Sequence, residues 1–431
     1  MVSAPSTRRN FLAAATESVS FAVANQLTAV AVVLPFICIA FGGSPFAAAL
    51  IFPTYTAANL LGVILAPRVL GLRSASRSLA LILILIATVF AITGIAISLV
   101  DEVWLNTLWI VAAVLGVLAG VASIAVVEVM SSSLAPSQKS AISVVQSTGG
   151  SILTLAITVV MGVLFLDPKG KDAHVTLLWI GVTAMVVASL ALLPIRPTAS
   201  GPAVRHRTVG ILAALRARPD RRYPWVREFL ITQVLFLSIS LGTSFYSVHG
   251  ATLHGQESEA LHHIVALTAV GSLLFTALWT LSRHRATIRG LLLTAAALGV
   301  TAGVTALITE YGGAPVALPV LSGVVITLAA AGGAATSSTR STWLYLNLGT
   351  EDDIEVVVFC QVVLGVTATG VGLLFGALAH LDSVAPTWGL LVLSGYALFH
   401  ARRAPGERIS ETRAGHLLDH HHGHHWGGFH W

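Results

Sequence analysis

Apolar runs of about twenty residues recur along the whole of this chain, and each is long enough to cross a ~30 Å hydrocarbon layer as a helix. A chain built this way cannot cover itself with polar surface. Its residues are 55% hydrophobic and 10% charged, with a mean hydropathy of +0.84, where a soluble domain carries roughly 25% charged residues. The strand-like alternation in ~10-residue segments that marks a membrane barrel is absent. The sequence therefore predicts an all-α membrane protein with twelve transmembrane helices. The first six spans are predicted over residues 17–41, 46–66, 78–100, 104–131, 141–166 and 174–195. The second six are predicted over 228–249, 260–281, 287–308, 315–338, 354–380 and 385–401. Links as short as Gly42–Pro45 and Asp101–Val103 force antiparallel neighbours.

One long polar interval interrupts the series before the C-terminal tail. Residues 196–227 hold eight arginines. The expected organisation is two pseudo-symmetric six-helix bundles, 1–195 and 228–402, joined by this basic linker and followed by a His-rich tail, 403–431. Charge placement sets the orientation. With both termini in the cytoplasm, 22 of the 24 lysines and arginines fall on the inside, and only Lys169 and Lys171 fall outside. The N-terminus carries Arg8 and Arg9 without a short apolar core and cleavage site, so it reads as a cytoplasmic start and not as a signal peptide. The net charge of +5 does not imply a nucleic-acid partner, because the arginines sit at span ends, where topology requires them. The arginine- and alanine-rich composition points to a bacterial genome, and with it a bacterial cytoplasmic membrane. Cys38 and Cys360 both lie inside predicted spans and offer neither a disulfide framework nor a paired-cysteine metal site.

The two halves share a repeat. Gln146, Gly150 and Thr154 of the fifth span correspond at one constant offset to Gln361, Gly365 and Thr369 of the eleventh. Gly150, Thr154, Thr158 and Gly162 recur every four residues, and Gly365, Thr369, Gly372 and Gly376 do much the same. Such stripes let helix backbones approach closely where lipid supplies no hydrophobic drive. They serve helix packing, and they also suit faces along which two bundles slide or rock.

Twelve spans, a six-plus-six division and a basic central loop resemble the major facilitator superfamily over nearly the whole chain up to about Arg403. The superfamily's signature between spans 2 and 3, Gly-x3-Asp-Arg-x-Gly-Arg-Arg, is matched loosely by GVILAPRVLGLRSASR. Gly62, Arg68, Gly71 and Arg73 keep its character, whereas Ala66 and Pro67 stand where the aspartate belongs. The Gly-Pro-rich fifth-span motif of drug/proton antiporters is not present. The stretches VLPFICIAFGGSPFAAALIFPTYTAANLLGVILAP and FLSISLGTSFYSVHGA are similar to a bacterial branch of unassigned substrate. The resemblance implies alternating access around a central site near the midplane, a small-molecule solute, protons as a candidate coupling ion, a monomer in the lipid bilayer, and no enzyme activity. Export is the direction most of the look-alikes take. No ATP-binding loop of the Gly-x4-Gly-Lys-Ser/Thr kind is present, and the soluble segments are too short for a catalytic domain.

Polar residues in spans mark candidate paths. Asn25, Gln26 and Thr28 of span 1, Tyr55 and Asn59 of span 2, Gln146 of span 5, and Gln233, Ser240, Thr243 and Tyr246 of span 7 are the substrate-path candidates. Ionisable groups inside a membrane are costly and are functional candidates by default. Glu128, Glu355 and Arg340 sit near the cytoplasmic ends of their spans, where they could pair with one another or with Arg68 and Arg73 as a cytoplasmic gate. The path is expected to be uncharged at depth, which argues against a strongly anionic substrate needing a buried arginine.

Seven of the 16 histidines fall in the last sixteen residues. His420, His421, His422, His424 and His425 have the spacing of a Zn, Ni, Cu or Co ligand set, so a divalent metal on the tail is the one cofactor to expect. A second group, His249, His254, His262 and His263 with Glu257 and Glu259, is predicted outside. Three readings remain open on sequence: a secondary transporter of a small solute, a transition-metal exporter served by the tail, and a non-transporting metal sensor or scaffold.

Overall fold

The computed structural model describes residues 5–40, 42–70, 74–99, 105–134, 136–164, 171–196, 215–254, 261–282, 287–312, 318–347, 353–382, 384–404 and 406. All the regular structure among them is helical apart from a single bridge residue, Thr287. Before the linker lie α1 (Pro5–Leu27), α2 (Val33–Ala40), α3 (Pro45–Leu70), α4 (Ala75–Leu99), α5 (Leu105–Ser133), α6 (Pro136–Leu164) and α7 (Lys171–Leu192). A four-residue helix, α8 (Pro219–Arg222), lies near the end of the linker. After it come α9 (Pro224–His254), α10 (Leu261–Ser282), α11 (Ile288–Tyr311), α12 (Leu318–Asn347), α13 (Asp353–Leu381) and α14 (Ala385–Ala401). Among the described residues, ten helices, α3–α7 and α9–α13, are long and apolar enough to cross a membrane. The predicted first and last spans coincide with the α1–α2 pair and the 17-residue α14, which fall short of that measure.

The first predicted span differs from expectation in being two helices. Proline has no amide N–H, and its ring clashes with the carbonyl four residues earlier, so Pro35 blocks a continuous helix through Ala31. Restarting at Val33 moves Pro35 into a first turn, where the missing amide costs nothing. The Thr28 hydroxyl donates to the Ala24 carbonyl at 2.7 Å and helps close α1. A turn at Gly42, with φ +83°, then reverses the chain into α3.

The helices before the linker pack largely on one another: α3 on α5, α4 on α7 and α5, and α1 on α6 and α7. Those after it do likewise, α12 on α9, α10 and α11, and α14 on α9 and α11. The tightest crossing is α3 on α5. A Cβ on Gly62 would overlap the Val117 carbonyl, one on Gly116 the Tyr55 carbonyl, and one on Gly120 the Asn59 carbonyl. Gly271 of α10 meets the Thr327 carbonyl of α12 in the same way.

Two seams join the sets, α3 against α13 and α6 against α10, and α9 also reaches α2 and α3. The end of the helix array that carries Arg196 and α8 is called here the linker side. The contacts of α9 across the sets gather away from it, where Ala49, Leu241, Phe245 and Phe375 share one apolar cluster.

Candidate functional site

The substrate-path candidates do not form one constellation. Asn25 is exposed although it lies within α1. The Gln26 amide donates to Ser151 Oγ of α6 at 3.0 Å and so binds helix to helix, whereas Thr28 is spent on the Ala24 carbonyl at the end of its own helix. Tyr55 and Asn59 are partly buried on α3, with their carbonyls against the glycines of α5. Gln146 of α6 and Thr243 of α9 are partly buried, and the Thr243 carbonyl accepts from the Ser247 hydroxyl at 2.7 Å. Tyr246 belongs to a different neighbourhood from Gln233. It lines a cavity of about 20 Å³ with His249, Thr309, Glu310 and Ser322, where His249 Nε2 and Glu310 Oε1 pair at 2.7 Å.

Gln233 is fully buried in α9, and its Oε1 accepts from Arg340 Nε of α12 at 3.1 Å. Sequence reasoning assigned these two to separate groups, path and gate. The structure joins them. Helical side chains lean toward the helix N-terminus, so the Arg340 stem runs away from the linker side and into the array. One turn closer to the linker side, Phe229 and Trp343 close the same face edge-to-face, 5.6 Å between ring centroids. Among the described residues no carboxylate lies within ion-pair distance of Arg340. The other gate candidates are more scattered. Arg68 is exposed at the end of α3 and Glu128 is partly buried on α5. Arg73 and the Glu355 side chain lie outside the described residues.

The small-residue stripes divide between two uses. Gly150 seats Ala22 of α1, within one set of helices, and Thr154 is fully buried. Gly162 faces His262 Nε2 of α10, which would lie 3.3 Å from a Cβ there. Gly365 receives Leu60, and Gly376 receives Leu50 and Ala49. Thr369 Oγ1 shares a hydrogen bond with Thr56 Oγ1 at 3.0 Å. Four of the six packing candidates therefore lie on the two seams. Sequence reading missed their partners Thr56 and Leu60, the Pro53 ring against Gly372, and also the second seam bond, Ser147 Oγ to Thr276 Oγ1 at 2.8 Å. A lone serine or threonine in an apolar run gives no sign of what it faces.

Of the outer histidines, His262 and His263 have ring centroids 4.0 Å apart. The His254 side chain, Glu257, Glu259 and the tail residues His420, His421, His422, His424 and His425 lie outside the described residues. Among the described residues no group of three or more His, Cys, Asp or Glu is arranged to hold a metal.

No family profile matches the sequence. Uncharacterized proteins of Mycobacterium tuberculosis and Mycobacterium bovis are 29% identical over 306 residues, covering 67% of this chain. That match spans only 56% of the relatives' own length. Several solved structures share the fold. A mutant of the nucleoside transporter NupG superposes with a TM-score of 0.61 at 12% identity, covering 93% of this chain and 99% of that one. The Escherichia coli fucose:proton symporter FucP gives 0.57 at 17% identity, covering 93% and 100%. An auto-inhibited POT-family peptide transporter gives 0.58 at 14%, covering 94% and 97%.

Proposed function

We propose that this chain, which has the fold of the major facilitator superfamily, is a secondary active transporter that moves a small solute across a bacterial cytoplasmic membrane. In this reading α1 with α2, α3–α7 and α9–α14 provide twelve spans in two six-helix bundles. The linker side is cytoplasmic, as the positive-inside rule requires, and the protein acts as a monomer. Protons are the coupling ion, and export is the favoured direction.

The observation that carries the reading is the pair of seams. Among the described residues both carry Gly, Ser and Thr, with Leu60, Pro53 and Leu50 packed against the glycines of the first, and a hydroxyl pair bridges each, Thr56–Thr369 and Ser147–Thr276. Three of the four hydroxyls also have a carbonyl of their own helix to fall back on: Thr56 at Pro53, Thr369 at Gly365 and Thr276 at Ser272. Breaking the Thr56–Thr369 bond therefore strands neither hydroxyl, and that seam can part at low cost. The apolar contacts of α9 away from the linker suit a state closed outside and open to the cytoplasm.

The test is transport by the full chain in proteoliposomes under an imposed pH gradient. A panel of nucleosides, sugars, peptides and organic acids would be followed with a trapped pH-sensitive dye. Solute-dependent proton movement is expected. Absence of both proton movement and counterflow for every solute, with folded protein in the vesicles, refutes the reading.

A further inference from the structure

We propose that Arg340 and Gln233 form a binding site for an oxyanion, so that the solute is a small organic molecule bearing a carboxylate or phosphate group. The inference rests on the transporter reading for its biological sense, but its chemistry stands on the pair itself. Arg340 lies seven residues before the end of α12, and Gln233 nine residues after the start of α9. Both therefore lie ~10 Å or more inside the linker-side helix ends. Sequence alone had led to the expectation of a path uncharged at this depth.

The pair has free donors, and its one side-chain acceptor is already taken. Arginine carries only N–H donors, so the orientation of the Gln233 amide follows from its partner: Oε1 accepts from Arg340 Nε, and Nε2 is left as a donor. That Nε2 is fully buried and has no partner. The terminal guanidinium nitrogens make no hydrogen bond or ion pair with any described residue. Arg340 is part-buried, and a cation partly withdrawn from water is costly unless a counter-charge answers it. A planar guanidinium beside an amide N–H presents parallel donors that match the oxygens of a carboxylate or phosphate.

The site has a route to it. Gly333, Ser337, Arg340, Ser341 and Leu344 share one face of α12. Ser337 and Ser341 are exposed, and the space before Gly333 is open. A polar, small-residue approach thus runs along α12 to the guanidinium, on the part of the helix nearer the linker side. The Phe229–Trp343 edge contact beside the pair excludes water from one flank and strengthens the charge there.

The experiment uses the full chain in lipid nanodiscs. Thermal protection would be titrated with lactate, gluconate and glycerol 3-phosphate, with glycerol and uridine as neutral controls. Oxyanions are expected to protect the protein and neutral solutes are not. Arg340→Gln should weaken oxyanion affinity by at least about tenfold, the worth of one charge-assisted hydrogen bond. Gln233→Glu is the decisive variant, because its carboxylate would satisfy Arg340 internally. It should fold at least as stably as the parent and yet lose oxyanion protection. Arg340→Lys should bind more weakly than the parent, since the charge remains but the paired donors do not.

No protection by any oxyanion, or protection unchanged in Gln233→Glu, overturns the proposal. Counterflow in proteoliposomes separates this from the transporter reading. Oxyanion binding with no counterflow of any solute removes the transporter and keeps the site. Counterflow of a neutral solute with no oxyanion binding does the reverse.

Discussion

Gly120→Ala should destabilise the protein although alanine is the better helix former. Glycine in a helix interior costs ~1 kcal/mol relative to alanine, and that amount would be recovered in α5. Against it stands the crossing with α3. The new Cβ would overlap the Asn59 carbonyl and lie 2.8 Å from the Val63 nitrogen and 2.9 Å from the Gly62 Cα. These are backbone atoms, which no rotamer change can move aside, so the overpacking cost belongs at the upper end of its ~1–3 kcal/mol range. The net is a loss of ~2 kcal/mol, or ~30-fold in the folded population. Gly370→Ala on α13 is the control, since a Cβ there meets nothing within 4 Å. Thermal unfolding of the purified proteins, followed by tryptophan fluorescence, should place Gly120→Ala below the parent and Gly370→Ala level with it or above. If Gly120→Ala melts as high as Gly370→Ala, the helices are not in backbone contact and the reasoning fails. The double variant Gly62→Ala/Gly120→Ala should lose less than the sum of the singles, because parting α3 from α5 once makes room for both.

Two further outcomes are expected. Thr369→Val removes a seam bond worth ~1 kcal/mol, and so should shift the balance between access states ~5-fold. The thiol-labelling rate of an added Ser341→Cys reports that shift, and an unchanged rate would separate the seam from the motion. Truncation after Ala414 should abolish Zn and Ni binding by the purified protein. Retained binding, read by calorimetry, would place the metal ligands elsewhere than His420–His425.

How far the sequence could be read depended on the range of the interaction. Span positions follow from runs of apolar residues, a property local to each segment, and ten of the twelve predicted spans coincide with helices long and apolar enough to cross. The short links and the arginines of residues 196–227 are equally local. The break in the first span was within reach too, since Pro35 stands in plain view, but apolarity without a break masked it. The Arg340–Gln233 meeting was not readable. It depends on α9 and α12 lying side by side and on the reach and lean of one long side chain, and neither leaves a trace in spacing. The close crossings at Gly62, Gly116 and Gly120 were hidden for the opposite reason. Glycines are common throughout this chain, and only the partner carbonyl distinguishes those that touch from those that face lipid.

The interruption between α1 and α2 has an electrostatic consequence. A continuous helix would place its dipole ends at the two membrane surfaces, where water screens them. Here the dipole is cut partway along the predicted span, and the carbonyl end of α1 is left inside, next to exposed Asn25. Half-helix ends of this kind supply partial negative charge to a transport path without any acidic side chain. The first half of the chain thus offers acceptors at depth, where the second half, through Arg340 and Gln233, offers donors. A solute or coupling cation passing between them would meet main-chain acceptors, which no single side-chain substitution can erase, opposite donors that rest on two side chains.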